Sequence, residues 1–155
     1  MKKSVSASRT EQIQILMPEH INGAGRLFGG KLVEWIDVVA SVAARRHSGC
    51  NVITAAIDNL QFKAGAYVND TLVLIGRLTH VGRTSMEVRV DTYVEGLDGT
   101  RSVVNRAYLV LVALDGQGRP TPVPGLLLEN ESERAEWDAG ERRQELRKIR
   151  RLEGY

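Results

Sequence analysis

Asn22-Gly23-Ala24-Gly25-Arg26-Leu27-Phe28-Gly29-Gly30 runs directly into Lys31-Leu32-Val33-Glu34-Trp35-Ile36-Asp37-Val38-Val39-Ala40-Ser41-Val42-Ala43-Ala44. Apolar residues at 32, 36, 39, 40 and 43, with a second row at 33, 40 and 44, recur at the helical period. The segment is apolar on nearly every side, which predicts a buried helix rather than a surface one. Asp37 is the anomaly within it. A carboxylate among Trp35, Ile36, Val38 and Val39 must be paired, hydrogen-bonded or open to a cleft, because burying the bare charge costs several kcal/mol. Such an acid is a candidate general base. The glycines at 23, 25, 29 and 30 let the preceding backbone turn sharply and approach another group closely. The helix start after Gly29 and Gly30 then offers unpaired N–H groups to a developing oxyanion. A buried acid, the side-chain amide of Asn22 and a helix N-terminus together make an ester-cleaving set.

Outward from this helix the pattern changes to strands. Glu11–Leu16 alternates weakly before Pro18, and Ser48-Gly49 ends the helical pattern. Val52–Lys63 reads as a strand with Thr54, Ala56, Asp58, Leu60 and Phe62 on one face. Thr71–Leu78 follows, and Val81-Gly82-Arg83 is a tight connection into Ser85–Val94. In that strand Met86, Val88, Val90, Thr92 and Val94 face one way, while Glu87, Arg89, Asp91 and Tyr93 face a side expected to be wet. Val103–Leu114 is the last long strand. One early helix followed by a run of strands implies an α+β fold, an antiparallel sheet of five to six strands wrapped on a long buried helix.

The 155 residues suit one domain. A 43% apolar share and a formal charge of +2 exclude a disordered chain and give no nucleic-acid-binding signature. No apolar run is long enough to enter a membrane, and the first residues lack a signal-peptide core, so a cytoplasmic protein is expected. Cys50 is the single cysteine, which leaves no internal disulfide or thiolate cluster. No His, Cys, Asp and Glu set has metal-ligand spacing. The domain plan is a flexible polar stretch at 1–9, one domain at 10–127, and a charged helical extension at 128–155. That extension is rich in Glu and Arg, is interrupted by Gly140, and reads as a solvated face. Its basic end, Arg142, Arg143, Arg147, Lys148, Arg150 and Arg151, is a candidate contact for phosphates or for another subunit.

Met17-Pro18, Asn22, Phe28-Gly29-Gly30 and Ile36-Asp37 resemble the signature of the hotdog-fold acyl-CoA thioesterases, the branch of small bacterial acyl-CoA hydrolases and the brain acyl-CoA hydrolase. Thr54, Asp58, Phe62, Asp70, Val81-Gly82-Arg83-Thr84-Ser85 and Val112-Ala113-Leu114-Asp115 are similar to the remaining landmarks in the same order, over roughly residues 12 to 125. The resemblance implies hydrolysis of acyl-CoA to free acid and coenzyme A. Asp37 is then the general base or nucleophile, and Asn22 from the facing subunit positions water or thioester. It further implies a homo-oligomer, a dimer or trimer of dimers, and no cofactor, coenzyme A being part of the substrate. Gly29 and Gly30 are expected to bind the carbonyl oxygen, and Gly82, Arg83, Thr84 and Ser85 the coenzyme A phosphates. The chain departs from many relatives at Arg26, Gly65 and Asn69, and Arg26, beside the proposed site, bears on substrate choice. A non-catalytic acyl-CoA sensor and a hotdog hydratase are the alternative classes. The second needs a His-and-acid pattern that His20, His47 and His80 do not show.

Overall fold

The apolar period at Leu32, Ile36, Val39, Ala40 and Ala43 does produce a helix, and the sheet is built around it. The computed structural model describes the backbone of residues 1–155 and every side chain except that of Asn59. In chain order it comprises β1 (Lys2–Ser4), α1 (Val5–Ser8), β2 (Thr10–Ile15), a short 3₁₀ turn (Pro18–His20), α2 (Gly29–Ser48), β3 (Asn51–Phe62), β4 (Thr71–Val81), β5 (Ser85–Glu95), β6 (Arg101–Leu114), β7 (Gly125–Leu127) and α3 (Glu131–Glu153). Five strands form one antiparallel sheet in the order β2-β4-β5-β6-β3. With α2 packed on one face, this is the α+β hotdog arrangement.

The core lies between that face and α2. Leu32, Trp35, Ile36, Val39, Ala40, Ala43 and Ala44 meet the inward row Met86, Val88 and Val90 of β5 and Leu109, Leu111 and Ala113 of β6. The helix ends at Gly49, whose φ of 70° lets its N–H close on the Arg45 carbonyl at 2.8 Å. Asn69 stands in a left-handed position (φ 72°), a conformation that asparagine tolerates.

Three expectations need correction. The first nine residues are ordered: β1 pairs in parallel with β7, and Val5 and Ser8 are buried. The polar row of β5 is not wet. Glu87 and Asp91 are 3% and 1% exposed, because α3 covers the outer face of the sheet. The extension is therefore a helix docked by one face, with its other face still exposed to solvent.

An ionic network holds it there. Arg143 grips Glu87 with Nε at 2.9 Å and Nη2 at 2.8 Å and stacks 3.8 Å over the Tyr108 ring. Arg147 bridges Glu87 and Asp58, and Glu136 accepts from Arg89 at 2.9 Å. Gly140 is the point of closest approach. A Cβ there would lie 2.8 Å from the His80 Cβ, so only glycine lets the helix settle on β4.

The third correction concerns β3. Its pairing with β6 shifts register between Thr54 and Ala56 and again between Asp58 and Gln61. Each bulge reverses the alternation of faces. Thr54 consequently points toward α2 and Asp58 toward α3, although simple period-two reading puts them together.

Candidate active site

Asp37 sits in the third turn of α2, beside β3 at the edge of the sheet. It is half-buried, not enclosed by apolar neighbours as expected, and its Oδ1 accepts a 2.5 Å hydrogen bond from the Thr54 hydroxyl. The partner comes from the strand that the first bulge turns inward. Around the pair the surface is apolar and open: Val38 of α2 and Ile53 of β3 are each 51% exposed. A carboxylate anchored by one oxygen keeps its other lone pairs for a proton or a water.

Asn22 occupies a different place. The loop it opens is closed by an isolated bridge between Ile21 and Leu27. The Asn22 Oδ1 accepts from the backbone N–H groups of Ala24 (3.0 Å) and Arg26 (3.2 Å). With its oxygen occupied, the exposed amide NH₂ is left as the donor. Asn22 lines a pocket of about 220 Å³ together with Arg26, Leu27, Gly29, Phe62 and Gly65. Asp37 does not. It lies eight residues beyond Gly29, about 12 Å along the helix at 1.5 Å per residue. Within one chain the fold brings Asn22 and the helix start together and holds Asp37 apart from both.

At that helix start the N–H groups of Gly29 and Gly30 precede the first intrahelical bond, which Lys31 and Leu32 make to the Phe28 carbonyl. A Cβ on Gly30 would lie 2.7 Å from the tip of the exposed Phe28 ring, which would have to move, while one on Gly29 would meet Phe62 at an ordinary contact distance of 3.4 Å. Arg26 shares this pocket, which puts its charge beside Asn22 rather than beside Asp37.

The turn 82–85 joins β4 to β5, with the Gly82 N–H donating to the Ser85 carbonyl at 2.9 Å. The Arg83 and Thr84 carbonyls accept from the Val123 and Ala113 N–H groups, and Arg83 is exposed. Ser85 opens on the outer face of the sheet, not on the pocket of Asn22.

The histidines serve the scaffold. His20 is buried; its Nδ1 accepts from the Met17 N–H at 2.9 Å and its ring meets Trp35 edge-on at 4.9 Å. His80 stacks on Trp137 of α3, and Glu141 lies 3.2 Å from its Nε2. His47 is fully buried with Nε2 2.8 Å from the Pro124 carbonyl, and burial pushes its pKa below the usual 6.5. Among the described residues no group of three His, Cys, Asp or Glu is placed to hold a metal ion.

Sequence reasoning marked Thr54 as a landmark without a role. The single available signal was a hydroxyl in a strand beside an acid-bearing helix. It also missed that the Arg147 and Arg150 guanidiniums belong with Asp58, since 89 residues separate Arg147 from its partner.

Comparison with known proteins places this geometry. Residues 24–99 match the model of the thioesterase superfamily. The chain is 37% identical over 127 residues to an uncharacterised acyl-CoA thioester hydrolase of Bacillus subtilis, covering 81% of this chain and 74% of that one. It superposes on an apo-hexameric acyl-CoA thioesterase with a TM-score of 0.92 at 39% identity, over 96% of each chain. It also superposes on the acyl-CoA hydrolase of Staphylococcus aureus in complex with butyryl coenzyme A, coenzyme A and coenzyme A disulfide, with a TM-score of 0.94 at 32% identity, over 99% of this chain and 94% of that one. That enzyme has further structures with an asparagine, an aspartate or a threonine replaced by alanine. The three positions are separated by fifteen and seventeen residues, the same spacing as Asn22, Asp37 and Thr54.

Proposed function

Because this chain belongs to the thioesterase superfamily, we propose that it hydrolyses acyl-CoA thioesters to free acid and coenzyme A, with Asp37 of one protomer acting opposite the Asn22 loop of another. The observation that carries this reading is the Asp37–Thr54 pair: a carboxylate oriented at 2.5 Å by a hydroxyl and left accessible on one side. In the reaction Asp37 takes a proton from water, and the oxygen attacks the thioester carbonyl. The resulting oxyanion is met by the Asn22 amide and the Gly29 and Gly30 N–H groups of the partner subunit. Collapse of the intermediate breaks the C–S bond, and the thiolate leaves with the proton that Asp37 had accepted. Direct attack by the Asp37 carboxylate through an anhydride uses the same groups.

Two copies are needed because Asn22 and Gly29 share a pocket that Asp37 does not reach. The free edge of β3 supports a way to bring them together. Edge-to-edge pairing of two β3 strands would satisfy unpaired backbone groups and cover Val38, Ile53 and Ile57. A hexamer built from three such dimers follows the assembly named for the apo-hexameric relative. Coenzyme A enters as part of the substrate, and the turn Gly82-Arg83-Thr84-Ser85 is its expected phosphate contact. Among the described residues no helix is long and apolar enough to cross a membrane. A cytoplasmic setting is part of the proposal and is consistent with the single cysteine.

The test is release of free thiol from short, medium and long acyl-CoA esters by the natural protein and by Asp37→Ala. Turnover that falls by about three orders of magnitude or more in the variant, with its fold intact, is the expected result. Binding of acyl-CoA without cleavage by the natural protein would replace the hydrolase with a sensor.

A further inference from the structure

The pocket beside Asn22 has a mostly apolar wall, with Leu27, Phe62, Ala66 and Val104 among its residues, and a single charge, that of Arg26. No acidic side chain lines it. Arg26 is bound through its backbone: its N–H donates to the Asn22 Oδ1 at 3.2 Å, and its carbonyl accepts from the Asn22 N–H at 2.8 Å. Among the described residues its guanidinium has no ion pair and no hydrogen bond. A guanidinium keeps its charge at any working pH and presents a planar fork of donors, so an anion is what completes it.

Gly65 is what gives the arginine its place. A Cβ there would lie 2.8 Å from the Tyr67 hydroxyl and 3.5 Å from the Arg26 Cδ, so the arginine stem and the tyrosine head both pass close to the bare glycine. The Leu27 N–H donates to the Ala66 carbonyl at 2.8 Å and holds the two segments side by side. Two of the departures from many relatives, at 26 and at 65, are therefore one feature: a cation, and the missing side chain next to it.

We propose that Arg26 selects acyl-CoA esters whose acyl chain is short and ends in a carboxylate, which the guanidinium pairs with while Asn22 and Gly29 hold the thioester oxygen. The selection rests on the acyl-CoA hydrolysis proposed above. Since Asn22 and Gly29 line the same pocket as Arg26, one arm of the thioester projects into it from the carbonyl. Its volume decides which arm. At about 220 Å³ it is smaller than the roughly 300–1,000 Å³ of sites for drug-sized ligands, and a long coenzyme arm ending in a nucleotide does not fit inside it. A short acyl group does. Its methylenes meet the apolar wall, and its terminal carboxylate reaches the charge-assisted donors of Arg26.

The experiment measures kcat/KM for glutaryl-CoA and pentanoyl-CoA, whose five-carbon chains differ only at the end remote from the thioester. The proteins are the natural one, Arg26→Gln and Arg26→Lys; residue 26 is exposed, so the core is untouched. The natural protein should favour glutaryl-CoA. Arg26→Gln should lower the glutaryl-to-pentanoyl ratio about tenfold or more, as expected for a lost charge-assisted pair, and Arg26→Lys should keep most of it. No preference for glutaryl-CoA in the natural protein, or a ratio that Arg26→Gln leaves unaltered, overturns the proposal and leaves the hydrolase standing. An equal loss with both esters belongs to the second case and would assign Arg26 to the coenzyme arm or to the neighbourhood of the partner subunit's Asp37. Absence of turnover with both esters defeats the hydrolase reading instead. Equilibrium binding of the two esters then decides the pocket: a preference for glutaryl-CoA that Arg26→Gln abolishes supports it, and equal binding overturns it.

Discussion

Replacing Glu87 by Gln should loosen α3 from the sheet, and the structure sets the size of the effect. Glu87 is 3% exposed and lies between Arg143 and Arg147, whose side chains are 19% and 13% exposed. Gln keeps the volume and a hydrogen-bonding head but removes the charge that both guanidiniums face. Breaking a buried pair from one side costs about 3–5 kcal/mol. Glu136 and Asp58 still partner the two arginines, so the lower end applies, about 3 kcal/mol. In a domain of this length that corresponds to a loss of about 6–12 °C in Tm. Thermal unfolding followed by circular dichroism reads it, at one fixed protein concentration because self-association shifts the midpoint. A pH series adds a second reading. Burial alone would raise the Glu87 carboxyl, yet hydrogen bonds from Arg143, Thr79 and Arg147 hold it below its ordinary 4.5. The group therefore contributes stability that is fully present above pH 4.5 and is lost as pH falls through the folded value. Glu87→Gln should remove that share of the acid sensitivity. A double-mutant cycle with Arg143→Met should return a coupling of about 1–3 kcal/mol. A Glu87→Gln loss below about 1 kcal/mol with no coupling would refute the view that this network fastens the helix.

At the candidate site, Thr54→Val keeps the shape of the side chain and deletes the bond to Asp37. It should lower kcat about tenfold or more with little change in KM, and Thr54→Ser should recover most of the loss. Equal losses in the two variants would show that the hydroxyl does not orient the carboxylate. For His47 the sign runs toward acid. Burial lowers its pKa below 6.5, so the folded state binds fewer protons than the unfolded one, and stability present above pH 6.5 is lost as pH falls through the folded value. A urea midpoint that drops on acidification below pH 6.5, and a flatter slope in His47→Gln, are expected.

The long helix and the five strands of the main sheet were legible along the chain because each depends on local period and on turn residues, whereas β1, α1 and β7 were not. Asn22, Gly29, Gly30 and Asp37 stood out as candidates because a glycine-laden loop enters an acid-bearing apolar helix, and the family resemblance supplied their expected roles. Two things were hidden, for separable reasons. The bulges in β3 leave no mark in a run such as Thr54-Ala55-Ala56-Ile57-Asp58, where small and apolar residues suit either face. The dryness of Glu87 and Asp91 was invisible because a polar row normally signals solvent, and only the docked α3 reverses that inference. The division of the site between subunits entered as an expectation from the family resemblance and leaves no mark in local period or spacing. Asn22 and Asp37 stand fifteen residues apart in sequence, yet the straight helix between Gly29 and Asp37 prevents one protomer from joining them.

β3 ties these features together. Within five residues it carries Thr54, which orients Asp37; Ala55 and Ala56, which line a cavity on the outer face beside α3; and Asp58, which receives Arg147 from α3. The bulge between Thr54 and Ala56 is what separates these duties onto two faces. Without it Thr54 and Asp58 would share a face, and either the carboxylate would lose its hydroxyl or the helix would lose its anchor. An edge strand is also the strand whose backbone is easiest to displace, since only β6 pairs with it in one protomer. Holding it by Asp58 on the outside and by Thr54 on the inside fixes the register at the point where the chemistry needs it. The charged extension and the candidate site are consequently one mechanical unit, although they lie at opposite ends of the sequence.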